Sequence, residues 1–197
     1  ENNRTPEISG FDIAYLNPII FLRPIEFSLN SSDNALMGMN FKIKTTNTLH
    51  IYGQFVIDEL SFPDLESGNN WWGNKYAYQI GGKYYDVLNF RNLILQVENN
   101  FARPYTYSHS SVSQNYGHYY QSLAHPLGAN FNEFLVFTDY KYKHWEIHLQ
   151  LVKAKFGDKK KNDPTSFGNN IFISNSNRPS DNEIEMYQGN LSRLDYR

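Results

Sequence analysis

The chain has 197 residues, 18 Lys and Arg against 20 Asp and Glu, a formal net charge of -2, and 40% hydrophobic and 16% aromatic residues. This length supports one domain with its core, whereas two would be crowded, so we treat residues 1–197 as a single segment. The near-neutral charge supplies no general attraction to nucleic acid, and the lack of Cys excludes disulfide scaffolds, thiolate metal sites and cysteine nucleophiles.

The hydropathy excludes a membrane-spanning helix but leaves a membrane-spanning strand open. The mean hydropathy is -0.61, and no run of about eighteen apolar residues occurs. Spanning β-strands need only about nine to eleven residues of alternating character. The abundance of Tyr (15) and Phe (14) fits such strands.

The alternation of apolar and polar residues predicts strands along most of the chain. A first strand is expected at 11–22, joined through 27–34 to a segment where Met39, Phe41 and Ile43 alternate with polar residues. After a tight turn at 45–48, the clearest strand covers 49–60. Two further hairpins are predicted: 76–84 with 93–100 across a turn at 88–92, and 134–140 with 145–151 across Lys143 and His144.

The connections between these strands alternate between short and long. Long polar stretches occupy 61–74, 105–129 and the chain from 157 onward. This is typical of an up-and-down, antiparallel transmembrane β-barrel with short periplasmic turns and long extracellular loops. Residues 184–197 look like a polar loop leading into a new start, so we expect part of a larger barrel, incomplete at both ends.

A soluble β-sandwich gives the same alternation and is the main alternative for the fold. It would bury the row of Leu49, Ile51, Phe55 and Ile57 against a second sheet. Predicted strands of about eleven to thirteen residues favour the barrel, because strands of globular proteins usually have five or six. A hydrated barrel interior would also suit the polar positions of the strands: Lys42, Lys44, Lys75, Lys83, Gln96, Glu98, Glu146 and Gln150.

The sequence offers little for catalysis, so we predict no catalytic residue, no cofactor and no metal. Adjacent Asp58 and Glu59 point to opposite faces of a strand, although Asp58 and Glu98 could meet across a lumen as in a glycan hydrolase on a β scaffold. Gly81 and Gly82 lie inside a strand, where glycine marks a bulge or a close backbone approach rather than a phosphate loop. The basic run 159–161 is expected to be a solvated loop tip.

The aromatic and amide content of the long loops indicates a surface that binds saccharide. Aromatic rings stack on the C–H faces of sugars, while amides and imidazoles pair with hydroxyl groups. The alternative is that these rings pack the loops together, and for the three loop histidines ordinary hydrogen bonding is favoured over metal binding. The candidate polysaccharide-binding residues are Trp71, Trp72, Tyr105, Tyr107, His109, Tyr116, His118, Tyr119, Tyr120 and His125.

Several segments resemble, in the same order along the chain, the RemB family of gliding-motility proteins, which is similar to the Wzi-type capsule-assembly barrels. The resemblance runs from about residue 15 to 190 and includes YGQFVIDE at 52–59, WWGNK at 71–75, RPYTYSH at 103–109, LAHPLGANF at 123–131, RPSD at 178–181 and QGN at 188–190. The chain is far shorter than a full member of that family.

The resemblance implies a large barrel in a Gram-negative outer membrane, with loops exposed at the cell surface. For Wzi relatives it implies a non-enzymatic, lectin-like role in organising surface polysaccharide, with a periplasmic helical part, and for RemB relatives a role in gliding. The expected partners are outer-membrane lipid, surface polysaccharide and other outer-membrane proteins of a motility or secretion complex. A soluble carbohydrate-binding β-sandwich and a glycan hydrolase are the alternative functions.

Overall fold

The computed structural model describes residues 36–158 and 164–196. The predicted strand at 11–22, its connection at 27–34 and the basic run at 159–161 lie outside the described residues. The architecture below belongs to the unit Leu36–Arg197.

Seven strands form one antiparallel sheet, and a two-stranded hairpin and a short helix lie in its connections. The sheet strands are β1 (Met37–Lys44), β2 (Leu49–Glu59), β3 (Lys75–Tyr85), β4 (Leu93–Ala102), β7 (Phe131–Tyr142), β8 (Trp145–Asp158) and β9 (Asn190–Tyr196), hydrogen-bonded in that order. The hairpin is β5 (Gly117–His118) with β6 (Gln121–Ser122), and the helix is α1 (Phe62–Ser67). Among the described residues, no helix has the length and apolarity needed to cross a membrane. The prediction of an all-β, antiparallel, up-and-down sheet is confirmed.

The three predicted hairpins are present, and the differences lie at the end of the chain. β8 continues to Asp158, seven residues beyond the predicted Leu151, because Val152 and Ala154 are buried between exposed lysines and give only a weak alternating signal. The assignment of 184–197 to a polar loop is wrong for β9. In β9 the two leucines, Leu191 and Leu194, are three positions apart, so they point to opposite faces and produce no period of two.

The lengths of the connections follow the predicted alternation. The short connections, 45–48, 86–92 and 143–144, join β1 to β2, β3 to β4 and β7 to β8. The long ones, 60–74, 103–130 and 159–189, join the remaining pairs. Because neighbouring strands are antiparallel, all short turns lie at one end of the strands and all long loops at the other.

The ladder sorts the strand residues onto two faces of different character. A row of directly paired residues across the sheet is called a rung. The apolar face is the side of the sheet to which the rung of Ile51 belongs, and the polar face is the side to which the rung of Tyr52 belongs. The Ile51 rung contains Ile43, Ile51, Gly82, Val97, Val136 and Leu151, and the Tyr52 rung contains Lys42, Tyr52, Gly81, Glu98, Leu135 and Val152. By the same register, all eight residues predicted for a hydrated interior fall on the polar face.

The apolar face has no covering layer among the described residues. Its exposed side chains include Met39, Phe41, Ile43, Ile80 and Leu149. Phe55, one of the residues that a sandwich would bury against a second sheet, is 37% exposed. The only other sheet that the described ranges contain is the small β5–β6 hairpin. The second sheet that a sandwich requires is therefore not part of the described structure.

The hydrophobic core lies on the polar face, at the end where the long loops fold over the sheet. Ala77, Ala102 and Phe131 of the sheet pack against Tyr107 and Ile171 of the loops. At the same end, a bulge in β2 between Ile57 and Glu59 accommodates Asp58, which is buried. The sheet is open in the described residues, because β1 and β9 each pair with one neighbour only.

Candidate functional site

The long connections pack together into one structure, which we call the loop layer and define as residues 60–74, 103–130 and 164–189. Backbone hydrogen bonds join its parts: Trp72 N–H donates to Asp181 (3.0 Å), and Tyr105 N–H donates to Gly168 (3.1 Å). Ile184 N–H donates to Asn70 (3.1 Å) in the same way. The loops therefore form a folded surface at one end of the sheet.

Buried asparagines link the backbones of the loop layer, because one amide group both donates and accepts. The Asn130 side chain, 0% exposed, donates to the Phe167 carbonyl (2.8 Å) and accepts from Tyr187 N–H (2.7 Å). Asn115 accepts from His109 N–H (2.7 Å) and donates to the Ile171 carbonyl. Leucine or alanine at these positions would leave buried peptide groups unpaired, which explains why so polar a stretch adopts a fixed fold.

Trp71 and Trp72 are half-buried and contribute to the contacts between the loops. The guanidinium carbon of Arg178 lies 4.0 Å from the Trp72 ring centroid, and Lys75 Nζ lies 5.0 Å from it. Tyr105 contacts Trp72 edge-on at 6.2 Å, and Trp71 covers Gly73. The Trp72 ring therefore already has cationic partners from two parts of the chain.

Tyr105 and Tyr107 lie inside the loop layer and not on its surface. The Tyr105 hydroxyl donates to the Ser166 carbonyl (2.7 Å), and the Tyr107 N–H donates to Asp58 Oδ2 (2.9 Å). Burial raises the pKa of both phenols to about 12, and the Asp58 carboxylate adds to the effect at Tyr107. In this conformation their rings support the loops, as the packing alternative predicts.

Two histidines attach the 103–130 loop to the sheet. His109 Nε2 lies 3.2 Å from Asp58 Oδ1, although these two buried atoms do not have the alignment of a hydrogen bond. His125 Nε2 lies 3.0 Å from Glu133 Oε2, and its Nδ1 accepts from Leu127 N–H (3.2 Å), so in the neutral ring Nε2 carries the proton. The described residues contain no group of three metal-ligating side chains.

The most exposed predicted residues occupy the β5–β6 hairpin. Tyr119 and Tyr120 form its two-residue turn with φ values of 47° and 60°, and their side chains are 88% and 78% exposed. Two positive φ angles define a type I′ turn, which normally selects Asn or Gly and is strained for bulky residues. Strained backbone is concentrated at functional sites, and here it projects two rings from the loop layer. His118 and Tyr116 lie exposed beside them.

Tyr120 belongs to a fixed aromatic stack. Its ring lies parallel to Phe172 at 4.5 Å, and Phe172 packs on Gly117, where an added Cβ would come within 2.6 Å of the Phe172 ring. Gly117 thus provides the space for Phe172, and Phe172 supports Tyr120. The other side of the Tyr120 ring remains open to solvent.

A cleft of about 510 Å³ lies beside this stack, between the 103–130 and 164–189 loops. Tyr120 and Phe172 line it together with Gln121, Asn169 and Asn170. Of the ten predicted residues, only Tyr120 lines this cleft. Sequence reasoning missed Phe172 and the two asparagines, although the segment NNIF at 169–172 repeats the combination of amides and an aromatic ring that marked the earlier loops.

A second cleft of about 420 Å³ lies between the loop layer and the polar face. Three predicted residues, Tyr107, Tyr116 and His125, line it. Opposite them stand the amides of one rung of the sheet, Gln54, Gln79 and Asn100. Rings and amides therefore face each other here as well.

The centre of the polar face contains a network around Glu98. The Tyr52 hydroxyl donates to Glu98 Oε2 (2.6 Å), and Gln79 and Asn100 donate to Oε1 (2.8 and 3.1 Å). Tyr52 reaches Glu98 across β3 because Gly81, between them on the same rung, has no side chain; a Cβ there would lie 2.5 Å from the Tyr52 ring. Gly81 thus marks a close approach, as expected, while the ladder shows no bulge at Gly81 and Gly82.

Asp58 and Glu98 do not form a carboxylate pair. Glu98 shares a rung with Tyr52, and Asp58 lies six residues further along β2. Six residues correspond to about 20 Å of strand, whereas glycosidase carboxylates stand about 5 to 9.5 Å apart. Glu59, the neighbour of Asp58, pairs instead with Lys75 Nζ (3.1 Å).

Comparisons of the chain with protein-family models, with curated proteins and with solved structures find no match. The resemblance to the RemB and Wzi-type families accordingly stays a prediction from the sequence.

Proposed function

We propose that this chain forms part of the wall of an outer-membrane β-barrel, with its apolar face toward lipid, its polar face toward an aqueous interior and its loop layer at the cell surface. In this proposal the protein binds surface polysaccharide without catalysis, in capsule assembly or in a gliding-motility or secretion-associated complex of the bacterial outer membrane.

The observation that carries the proposal is the slant of the apolar band across the sheet. The exposed apolar residues of β1, Met37 to Ile43, centre on Asn40, and those of β8, Trp145 to Leu151, centre on His148. The ladder, however, connects Asn40 to Ala154, through Gln54, Gln79, Asn100 and Glu133.

On β8 the band centres on His148, six residues before Ala154, the residue that the ladder aligns with Asn40. This shift of six residues accumulates over five strand-to-strand steps. With about 3.3 Å per residue and about 4.8 Å between strands, this corresponds to an angle of about 40° between the strands and the normal to the band. Strands of membrane barrels are tilted by about 35 to 45°. A flat lipid layer crossing tilted strands predicts such a slant, whereas the interior of a soluble sandwich does not.

Aromatic residues border the band at both ends, as membrane interfaces favour. Tyr142 and Trp145 flank the 143–144 turn, and on β3 the apolar face runs from Tyr76 to Tyr84. The eight residue steps from Tyr76 to Tyr84 cover about 26 Å of strand, or about 20 Å of depth at a tilt of about 40°, close to the roughly 25 Å band of outer-membrane barrels.

The cleft beside Tyr120 supports the saccharide-binding part of the proposal. It combines an open ring face, held by Phe172 and Gly117, with the amides of Gln121 and Asn170. Its volume of about 510 Å³ is within the range of ligand-binding clefts. The loop layer positions all these groups at the end of the sheet that would face away from the cell.

Membrane placement is tested with single cysteines, because this chain contains no Cys. We would attach an environment-sensitive fluorophore in turn to positions 147 to 150 of the protein in phospholipid vesicles. Labels at Ile147 and Leu149 should be quenched by a lipid-soluble quencher, and labels at His148 and Gln150 by iodide. Equal iodide quenching at all four positions would reject the membrane assignment.

Saccharide binding is tested with the Tyr120→Ala variant on surface polysaccharide from the source cells. Loss of one stacking ring should weaken binding about tenfold, corresponding to about 1.4 kcal/mol. Phe90→Ala is the matched control, because Phe90 is an exposed aromatic at the opposite end of the sheet. Equal affinity in the Tyr120→Ala variant and the parent would remove this cleft from the proposal.

A further inference from the structure

The polar face carries a cluster of basic side chains at the end opposite the loop layer. Lys44, His50 and Lys83 share one rung on three neighbouring strands, and Lys42 lies two residues before Lys44 on the same face. We call these four residues the basic cluster. Lys42, His50 and Lys83 line a cavity of about 360 Å³ on the sheet.

The lysines of the basic cluster have no counterion in the part of the chain that the structure describes. Each of the other strand lysines of the polar face, Lys75 and Lys141, pairs with a glutamate. The side chains of Lys42, Lys44 and Lys83 make no ion pair or hydrogen bond within the described ranges. The one carboxylate lining the cavity is Glu98, and its oxygens accept from the neutral groups of Tyr52, Gln79 and Asn100.

His50 adds unused hydrogen-bonding capacity to the same place. Both of its ring nitrogens are buried without a hydrogen-bond partner in the described structure, and its ring packs edge-on against Tyr85 at 5.1 Å. A buried polar atom without a partner is unfavourable, and a hydrogen-bonding ligand in the cavity would relieve that cost. The imidazole lies in the wall of the cavity.

The two lysines of the rung are close enough to act on one anion. Lys44 and Lys83 flank His50 and lie two strand spacings apart, about 10 Å between their Cα atoms. Lysine side chains of this reach can converge on one anionic group placed above His50. The described residues that line the loop cleft, by contrast, include no lysine or arginine.

We propose that the basic cluster is a binding site for the carboxylate or phosphate groups of an anionic glycan. The inference rests on the proposed function, since it names the polysaccharide as acidic and gives it a second contact on the polar face. The loop cleft would then recognise sugar rings, and the basic cluster would recognise charge.

The test compares hexagalacturonate, neutral maltohexaose and inorganic phosphate as ligands of the intact protein in detergent, by isothermal titration calorimetry. Hexagalacturonate should bind to the parent protein. Its affinity for the triple variant Lys42→Gln, Lys44→Gln, Lys83→Gln should be at least about tenfold lower, because hydrogen bonds to charged groups are lost. The control Lys143→Gln, Lys153→Gln, Lys155→Gln removes the same charge outside the cluster and should retain the parent affinity.

A second measurement on the unmodified protein does not depend on the folding of any variant. Raising the salt concentration from about 0.05 to 0.5 M should weaken the binding of hexagalacturonate, since exposed charges are screened over a few ångströms at high salt. Binding that is insensitive to salt would overturn the inference.

The remaining outcomes separate this inference from the proposed function. Equal binding of maltohexaose and hexagalacturonate, unchanged in the triple variant, overturns the anion site and leaves the proposed function standing. Binding of phosphate, with hexagalacturonate no tighter than maltohexaose, overturns the assignment to an acidic glycan. Absence of binding for both these glycans and for surface polysaccharide from the source cells rejects both proposals.

Discussion

The sharpest consequence of the membrane proposal concerns Leu149, at the middle of the apolar face. Leu149 pairs with Thr138 and is 63% exposed in the isolated chain. It lies four residues from Trp145, about 13 Å along the strand and about 10 Å in depth at a tilt of about 40°. If water covered this face, Leu149→Arg would change the free energy of unfolding by less than about 0.5 kcal/mol. If lipid covers it, the same change should cost about 2 to 4 kcal/mol.

The control is the next residue, Gln150→Arg, which introduces the same charge on the polar face of the same strand. Reversible unfolding by guanidinium from phosphatidylcholine vesicles would measure both variants. We expect a loss of about 3 kcal/mol for Leu149→Arg and less than about 0.5 kcal/mol for Gln150→Arg. Equal stabilities of the two variants would refute the assignment of the apolar face to lipid.

Two further predictions concern the polar face and the loop layer. Gly81→Ala should destabilise the protein by about 1 to 3 kcal/mol in chemical denaturation, since the added methyl group would overlap the Tyr52 ring. At Gly82 an added Cβ would meet only the His50 carbonyl oxygen, at an ordinary contact distance of 3.8 Å, so Gly82→Ala should cost less than about 1 kcal/mol. A comparable loss in both variants would contradict the role given to Tyr52. Burial raises the pKa of Tyr105 and Tyr107 to about 12, so their contribution to stability is complete below pH 10 and is lost as the pH rises from 10 to 12. The loss should be roughly 2 to 3 kcal/mol for each phenol, and an absorbance titration of tyrosinate should show Tyr105 and Tyr107 among the phenols that ionise near pH 12 or above. Ionisation of all tyrosines near pH 10 would count against a buried loop layer.

The sheet was predictable from the sequence because one periodicity determines both its strands and its faces. In β2 and β3 every second residue is apolar, so the alternation fixes both the strands and the side that each residue occupies. The same alternation fails in β9, where Leu191 and Leu194 are out of phase, and it fades in the second half of β8, where alanine replaces larger apolar residues.

The candidate site was less predictable, because the loops are ordered by contacts between residues far apart in sequence. Nothing near Asn130 indicates that its side chain joins Phe167 and Tyr187, and nothing near Tyr120 indicates that it stacks on Phe172. Aromatic content alone cannot separate the buried Tyr105 from the exposed Tyr120, since both belong to the same polar loop. Burial in this layer depends on partners 37 to 61 residues away, beyond the reach of a local pattern.

The open edges of the sheet provide the last prediction. The outward N–H and C=O groups of β1 and β9 have no strand partner in the described structure, and in a bilayer each unpaired group would cost several kcal/mol. A lipid-facing sheet therefore requires a further strand at each edge, from the same protein or from a neighbour. In vesicles, amide exchange of β1 should be as slow as that of the central strands β3 and β4. Fast exchange at alternate residues of β1, with protection retained in β3, would mean that this edge faces water, and a closed barrel would then be excluded.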